Sequence, residues 1–332
     1  MKNILIISDG IPGHFNQSKG VASILSVKHL STVRLEDLKF KSNQLRAVTT
    51  FLSKSLLRMP NKLNARIITF LYESVDTNNI DLIIAAGGKT APFTAALKIL
   101  YGIPIIQMGS PRGLHSSLFN ALVTVERYFK DSSNVVAAIT PNLYTPEICN
   151  IAAKEKNLNE HLLFLIGGKG IGYSYQKKEW DSLITILKKL HKETDLPITI
   201  VTSRRSDPEV EKNFQSELQN IPHEYSAWFH TGVKNFNLAA LFGSAKNIFV
   251  TEDSAMMISE SISSGKSVTT LFPSIIKSPM RYKALIQKYL DMGIIARQSI
   301  EDFCVKDIEN SSLNVQNHLS KLFDQLEERI LW

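Results

Sequence analysis

The chain has 332 residues, 44% of them hydrophobic and 21% charged, which excludes a disordered protein and leaves room for two domains of ordinary size. Thirty-eight Lys and Arg against thirty-one Asp and Glu leave a net charge of +7, a balance that suits nucleotides, phosphorylated sugars, anionic lipid surfaces or nucleic acid without choosing among them. No apolar run approaches the about 18 residues of a spanning helix, the run after Lys2 is too short for a signal-peptide core, and Cys149 and Cys304 are read as reduced cytosolic thiols rather than a disulfide.

Residues 3–7 are predicted as a first strand, apolar throughout and so buried on both faces. The strand delivers Ser8-Asp9-Gly10-Ile11-Pro12-Gly13-His14-Phe15-Asn16-Gln17 to a helix expected over residues 18–25. A glycine-bearing loop at the carboxyl end of a first strand is a ligand-binding position in open α/β sheets. The loop is neither GxGxxG nor a P-loop, so it makes no case for a dinucleotide or ATP. Asp9, His14 and Gln17 put an acceptor, a titratable imidazole and an amide in one loop, and Gly13 permits close approach. His14 is a candidate general base, and its other reading is a local capping or packing side chain.

The stretch 51–71 mixes Phe51, Leu52, Met59, Ile67 and Phe70 with Lys54, Arg58, Lys62 and Arg66. Its plainer reading is a pair of sheet-packed helices with a solvated basic face; the other is peripheral contact with an anionic membrane. Further strands are expected at 33–35, 81–86, 103–108, 122–125 and 135–138. Gly87-Gly88-Lys89-Thr90 follows the strand at 81–86, with Thr90 expected as N-cap of the next helix and Pro92 early in it. Gly109-Ser110-Pro111-Arg112 follows the strand at 103–108, and Arg112 is a candidate phosphate contact. Repeated strand–turn–helix units imply a parallel, doubly wound sheet.

Residues 140–159 are polar, carry Pro141 and Pro146, and are expected to connect the domains. A strand at 161–166 runs into Gly167-Gly168-Lys169-Gly170-Ile171-Gly172, whose backbone N–H groups can wrap a phosphate beside the Lys169 cation. A helix is expected at 180–192 and a strand at 198–201, ending in Thr202-Ser203-Arg204-Arg205. Adjacent arginines repel and call for an anion, and their forks suit phosphate. A strand is expected at 225–229 and a helix at 237–245. The strand at 248–251 then ends in Thr251-Glu252-Asp253-Ser254, at the amino end of a helix stopped by Gly265, with a further strand at 267–272. Free N–H groups there favour an anion, and Asp253 or Ser254 can cap the helix. Glu260 lies about two turns in, on the face of Met256 and Met257. It reads either as a ribose-binding carboxylate or as a solvated glutamate. Residues 279–289 form a basic helix and 315–331 have helical spacing. No DxD turn, CxxC or HExxH occurs, so no metal site is expected.

TEDSAMMISESISSGKSV, together with DGxxGHxxQ at the amino terminus, the GGKT turn and TSRR, resembles the mitochondrial-fission-protein (elongated mitochondria) family, whose bacterial members are regarded as GT-B glycosyltransferases. The resemblance spans almost the whole chain. More distantly the chain is similar to the GlcNAc transferase of peptidoglycan assembly, whose GxxGH loop lines the acceptor side. The resemblance implies two doubly wound Rossmann-like α/β domains facing a cleft (GT-B type): residues 1–145 on the acceptor side, 158–315 for the nucleotide-sugar donor, and 316–332 as a helix packing back on the first domain. It implies a metal-independent transfer of a sugar from a nucleotide-sugar donor to a glycan or lipid-linked acceptor in cell-envelope synthesis, such as that of lipopolysaccharide. Gly167, Gly168, Lys169, Thr202, Ser203, Arg204, Arg205, Thr251, Glu252, Asp253 and Ser254 would then bind the donor, with Glu260 on its ribose. Asp9 and His14 would be catalytic, and Gly13, Gln17, Gly88 and Arg112 would meet the acceptor. The nucleotide-sugar is a substrate and no separate cofactor or nucleic acid is implied; the expected location is cytoplasmic, with peripheral contact at the inner membrane face as the second reading of the basic stretch 51–71. A hydrolysing sugar-nucleotide 2-epimerase and a non-catalytic membrane- or partner-recruiting protein are the two other readings.

Overall fold

The computed structural model describes the chain except residues 43, 129, 131–132, 223–224, 233–235, 302, 304–314 and 331–332, so Cys304 lies outside the described residues. The chain divides into two compact units, Met1–Leu143 with Gln316–Trp332, and Tyr144–Val315.

The first unit runs β1 (Lys2–Ser8), α1 (Pro12–Ser26), β2 (Ser31–Asp37), α2 (Arg46–Leu56), α3 (Lys62–Phe70), β3 (Leu82–Ala86), α4 (Thr90–Tyr101), β4 (Ile105–Met108), β5 (Ala121–Thr124) and β6 (Asn134–Val136). Its six strands are parallel, in the order β2-β1-β3-β4-β5-β6. Side chains alternate across the sheet with the period of two that a strand imposes. Leu5, Ile7 and Ile83 enter one core with Leu57, Ile68 and Phe93 of the helical side. Ile4, Ile6 and Ile84 enter the other with Val21, Ile24 and Leu25 of α1.

The second unit runs α5 (Pro146–Lys156), β7 (His161–Ile166), β8 (Tyr173–Ser174), α6 (Lys177–Thr194), β9 (Ile198–Thr202), α7 (Pro208–Glu217), α8 (Leu238–Ser244), β10 (Ala245–Thr251), α9 (Ala255–Ser263), β11 (Ser267–Phe272), β12 (Ile275–Ile276), α10 (Met280–Asp291) and β13 (Ala296–Ser299). Five parallel strands take the order β13-β11-β10-β7-β9, and β8 and β12 form a small antiparallel ribbon. Phe164 of β7 stacks on Phe249 of β10 at 4.5 Å. The last helix, α11 (Val315–Ile330), sends Leu322, Phe323 and Leu326 into the α1 side of the first unit's core. Burying each such side chain contributes on the order of 2 kcal/mol.

Both sheets reverse their winding at one place. In the first unit the chain goes from β1 outward to β2 and then to the other side at β3; in the second it goes from β7 to β9 and then across to β10. Ligands of open α/β sheets bind outside the carboxyl ends of the strands at such switch points. The loops that follow β1 and β3, and those that follow β7 and β10, are the ones the sequence marks with glycine and polar residues.

Several expected boundaries differ. The helix expected from residue 18 begins at Pro12, which occupies its first turn because proline has no N–H to leave unpaired there. Pro146, expected in a connecting segment, likewise starts α5, with Thr145 accepting from the Ile148 N–H as its cap. The strand expected at 225–229 is a single bridge between Ala227 and Val201. Among the described residues, no helix is long and apolar enough to cross a membrane.

Candidate functional site

At the switch point of the first unit, Asp9 and His14 form a dyad. His14 Nδ1 lies 3.0 Å from each Asp9 carboxylate oxygen, with the Asp9 side chain 3% exposed and that of His14 31%. A carboxylate only accepts, so Nδ1 carries a proton, and in the neutral ring Nε2 is then the proton-accepting nitrogen. His14 sits on the first turn of α1 rather than in a free loop, and its N–H donates to the Ile11 carbonyl at 2.9 Å. Gly13 and Gln17 belong to the same opening turns of α1.

The turn after β3 closes on this dyad. Gly87 has φ +90°, and a Cβ there would stand 2.7 Å from His14 Nδ1 and 2.8 Å from an Asp9 oxygen, so only glycine fits. Gly88 lies against the stem of Arg112, where a Cβ would be 3.0 Å from its Cγ; Arg112 itself is exposed. Gln107 Nε2 donates to the Gly87 carbonyl at 3.1 Å and fixes the turn from β4. Thr90, expected as the N-cap of α4, does not cap it. Its hydroxyl donates backward to Ala86 and Gly87 carbonyls at 2.9 and 3.0 Å, and Lys89 takes the cap position. Gly87 thus sits against the Asp9–His14 dyad and its neighbour Gly88 against Arg112, and Gly87 and Gln107 are the members sequence reasoning passed over.

In the second unit the turn after β10 is drawn against the loop after β7. The Gly167 N–H donates to Thr251 Oγ1 at 2.7 Å, and a Cβ on Gly167 would collide with the Asp253 carboxylate. One on Gly168 would collide with the Arg205 carbonyl. The glycines here answer first to the protein's own close approach. Asp253 is fully buried and paired with Arg205 Nη2 at 2.9 Å. The approach falls short of hydrogen-bond geometry, so both Asp253 oxygens keep unused acceptor capacity. Burial pushes its carboxyl up, against the pull of Arg205. Ser254, not Asp253, caps α9, accepting from the Met257 N–H at 3.4 Å.

The anion that lets Arg204 and Arg205 stand side by side is therefore in part Asp253. Arg205 turns inward to it, whereas Arg204 is exposed and has no partner among the described residues, as is true of Lys169. Glu252, expected to meet the donor, is turned the other way. Its fully buried carboxylate accepts from Arg297 Nε and Nη2 at 2.7 and 3.0 Å, from the Thr270 hydroxyl at 2.7 Å and from the Tyr173 hydroxyl at 3.0 Å. Thr202 is also internal, donating to Glu211 at 2.6 Å. Buried Glu211 accepts in addition from the N–H groups of His230 and Thr231, at 2.9 and 3.2 Å, and so shapes the loop after Trp228. Neither Glu211 nor His230 carries a sequence signal; a lone acid on a short helix and a lone loop histidine look like surface residues.

A cleft of about 750 Å³ opens beside these loops, lined by Gly168, Lys169, Trp180, Arg204, Arg205 and His230 among others. Ser203 adjoins it, accepting from the Arg205 N–H at 3.1 Å. Glu260 is not in its lining. It lies on α9 one turn beyond Met257, and the Met257 sulfur is 3.7 Å from Arg205 Nη2. The Glu260 carboxyl is partly buried, has no hydrogen-bond or ion-pair partner among the described residues, and burial pushes it up to about 7. Among the described residues no three His, Cys, Asp or Glu side chains cluster closely enough to hold a metal ion.

Residues 12–316 match the family model described as mitochondrial fission ELM1. An uncharacterized protein of Rickettsia prowazekii (strain Madrid E) is 24% identical over 330 residues, with 88% of this chain and 89% of that protein covered. UDP-GlcNAc 2-epimerase from Neisseria meningitidis, solved bound to UDP-GlcNAc, superposes with a TM-score of 0.52 at 11% identity, covering 99% of this chain and 100% of that one. MurG of Acinetobacter baumannii superposes with a TM-score of 0.49 at 12% identity, covering 99% and 95%. The likeness to solved structures is one of fold: two Rossmann-like units with parallel sheets, GT-B type.

Proposed function

The chain belongs to the mitochondrial fission ELM1 family, and we propose that it is a glycosyltransferase that moves a sugar from a nucleotide-sugar donor to a glycan or lipid-linked acceptor. Glu260 carries the proposal. A half-buried carboxylate with no hydrogen-bond or ion-pair partner among the described residues is costly to keep, and a vicinal diol such as a ribose supplies two donors to it. It lies on the helix whose amino end, with Lys169 and Arg204, supplies the positive field a diphosphate needs.

In this reading each unit contributes one half of the reaction. The second unit holds the donor: Glu260 on the ribose, and Lys169, Ser203, Arg204 and the start of α9 on the phosphates. The buried Thr202, Thr251, Glu252 and Asp253, with the partly exposed Arg205 paired to Asp253, hold those groups in place rather than touching the donor themselves. As the sugar leaves, negative charge grows on the departing phosphate, and these fixed charges and dipoles stabilise it without a separate cofactor. The first unit prepares the acceptor. His14 Nε2 takes the proton from the attacking hydroxyl, and Asp9 holds the ring by Nδ1 and stabilises the imidazolium that forms. Gly13, Gln17, Gly88 and Arg112 are assigned to the acceptor in this reading. The reading assigns the step to cell-envelope glycan assembly, lipopolysaccharide included, on the cytoplasmic side.

Thermal shifts with UDP, GDP, CMP, ADP and their sugars, on wild type and Glu260→Ala, test this. A ligand at 100 times its Kd stabilises by about 2.7 kcal/mol. One nucleotide should raise the wild-type Tm and leave that of the variant unmoved. No shift with any nucleotide would sink the donor site, and turnover of the sugar nucleotide without acceptor would point to a 2-epimerase instead.

A further inference from the structure

We propose that the α2–α3 hairpin is a docking surface for an anionic lipid bilayer. The first observation is charge. Residues 38–72 hold seven of the thirty-eight basic residues and none of the thirty-one acidic ones, so the remaining thirty-one of each cancel and this segment carries the entire net charge of +7. Six of the seven are exposed, and Lys54 is half-buried.

The second observation is an inverted polarity. A surface helix normally buries its apolar stripe. Helix α2 instead buries Thr49 and Ser53 and exposes Val48, Phe51 and Leu52, which share one face by i,i+3 and i,i+4 spacing. Helix α3 buries Ala65 and Ile68 and exposes Leu63, Ile67 and Phe70 on its other side. Phe51 and Met59 are 73% exposed, Phe70 71% and Leu63 68%. So many large apolar side chains left in water on adjoining elements mark an interaction surface.

The hairpin is a built surface. Asn64 Nδ2 donates to the Leu56 and Met59 carbonyls at 3.1 and 2.8 Å, Asn61 caps α3, and Leu57 and Ile68 anchor the pair in the core. Phe51, Met59, Leu63 and Phe70 stand among Arg46, Arg58, Lys62 and Arg66, and Lys41 Nζ lies 3.9 Å from the Phe70 ring centroid. Apolar side chains that enter the acyl boundary while basic stems reach the phosphates are the chemistry of an interfacial helix on anionic lipid. A second copy of the chain is disfavoured because it would bring the same positive charge to the contact. The inference is independent of the donor site, although it would bring the unit that bears His14 to the surface where a lipid-linked acceptor lies.

The test is flotation of the full chain with phosphatidylcholine vesicles with and without phosphatidylglycerol. Wild type should float only with the phosphatidylglycerol vesicles, and less as salt rises and the Debye length shrinks from about 10 Å. Lys62→Gln with Arg66→Gln should weaken binding on the order of 25-fold, at about fivefold per basic residue removed. Phe51→Ser with Met59→Ser and Phe70→Ser should abolish flotation with unchanged Tm, because all three side chains already face water. That triple variant should also keep whatever nucleotide shift the wild type shows, so the two proposals fail separately. Wild type that stays unbound on phosphatidylglycerol vesicles, or variants that float as well as wild type, overturns the proposal; so does capture of an acidic protein in the absence of vesicle binding.

Discussion

Arg297, on the edge strand β13, grips both oxygens of Glu252 from 45 residues away, Nε at 2.7 Å and Nη2 at 3.0 Å. Glu252 is fully buried and Arg297 is 29% exposed on its side chain. The pair ties the turn after β10 to the far edge of the sheet, with Tyr173 and Thr270 filling the remaining acceptor sites. Removing one partner of such a pair leaves a buried charge uncompensated. Arg297→Ala should therefore cost about 3 kcal/mol, the low end for a buried pair because water reaches the guanidinium. Urea unfolding would show it as a lower midpoint at unchanged slope.

The two arginines after β9 should separate cleanly. Arg205 is locked to Asp253 at 2.9 Å, and Arg204 is exposed. Arg204→Ala should leave Tm within a degree or so of wild type and weaken nucleotide diphosphate binding by about 10- to 100-fold, the worth of one charge-assisted contact. Arg205→Ala should lower Tm even without ligand, because Asp253 loses the guanidinium that offsets its burial. Equal effects of the two on stability would contradict the division of labour. Isothermal titration alongside calorimetric melting measures both.

Much of this arrangement is legible in the sequence, because parallel sheets put ligand loops at strand ends, and strand ends are marked by glycine. DGIPGH, GGKT, GGKG and TEDS sit at the two switch points for that reason. What the sequence does not disclose is the direction in which each polar side chain turns. Glu252 and Glu260 are both carboxylates near one helix start. One is consumed by Arg297, on a short strand that carried no sequence signal; the other has no hydrogen-bond or ion-pair partner among the described residues. The Arg204-Arg205 pair reads as a ligand site because like charges need an anion, and half of that anion is the protein's own Asp253. Pro12 and Pro146 read as breaks because proline ends helices more visibly than it begins them.

Gly87 gives a sharp test of the dyad. Its φ of +90° and the 2.7 Å a Cβ would stand from His14 Nδ1 mean that Gly87→Ala must push the imidazole off Asp9. A displacement of about 1 Å at a reacting group costs on the order of 100-fold in rate. Transfer activity should fall by that factor while nucleotide binding in the other unit is unchanged. His14→Gln should lose at least as much. Histidine ring signals observed by NMR would show the Nδ1 proton of His14 shifted or gone in Gly87→Ala.

Glu260 makes a prediction about pH whose sign is opposite to that of an ordinary salt-bridged carboxylate. Burial pushes its carboxyl from 4.5 up to about 7, so folding favours the protonated form. Its stabilising contribution is complete below about pH 4.5 and is lost as pH rises to about 7. Above that pH the apo protein holds a half-buried charge at a cost that Glu260→Gln, neutral at every pH, does not pay. The Gln variant should be more stable than wild type at pH 8 by roughly 1–3 kcal/mol, and the difference should vanish by about pH 4.5. Ribose hydroxyls donate to the ionised carboxylate, so nucleotide affinity in wild type should rise about tenfold per unit up to about pH 7 and then level off. In Glu260→Gln it should be weak and flat. A variant that gains stability and loses the nucleotide places Glu260 among residues that forgo stability for binding; one that loses neither returns it to the solvated helix face.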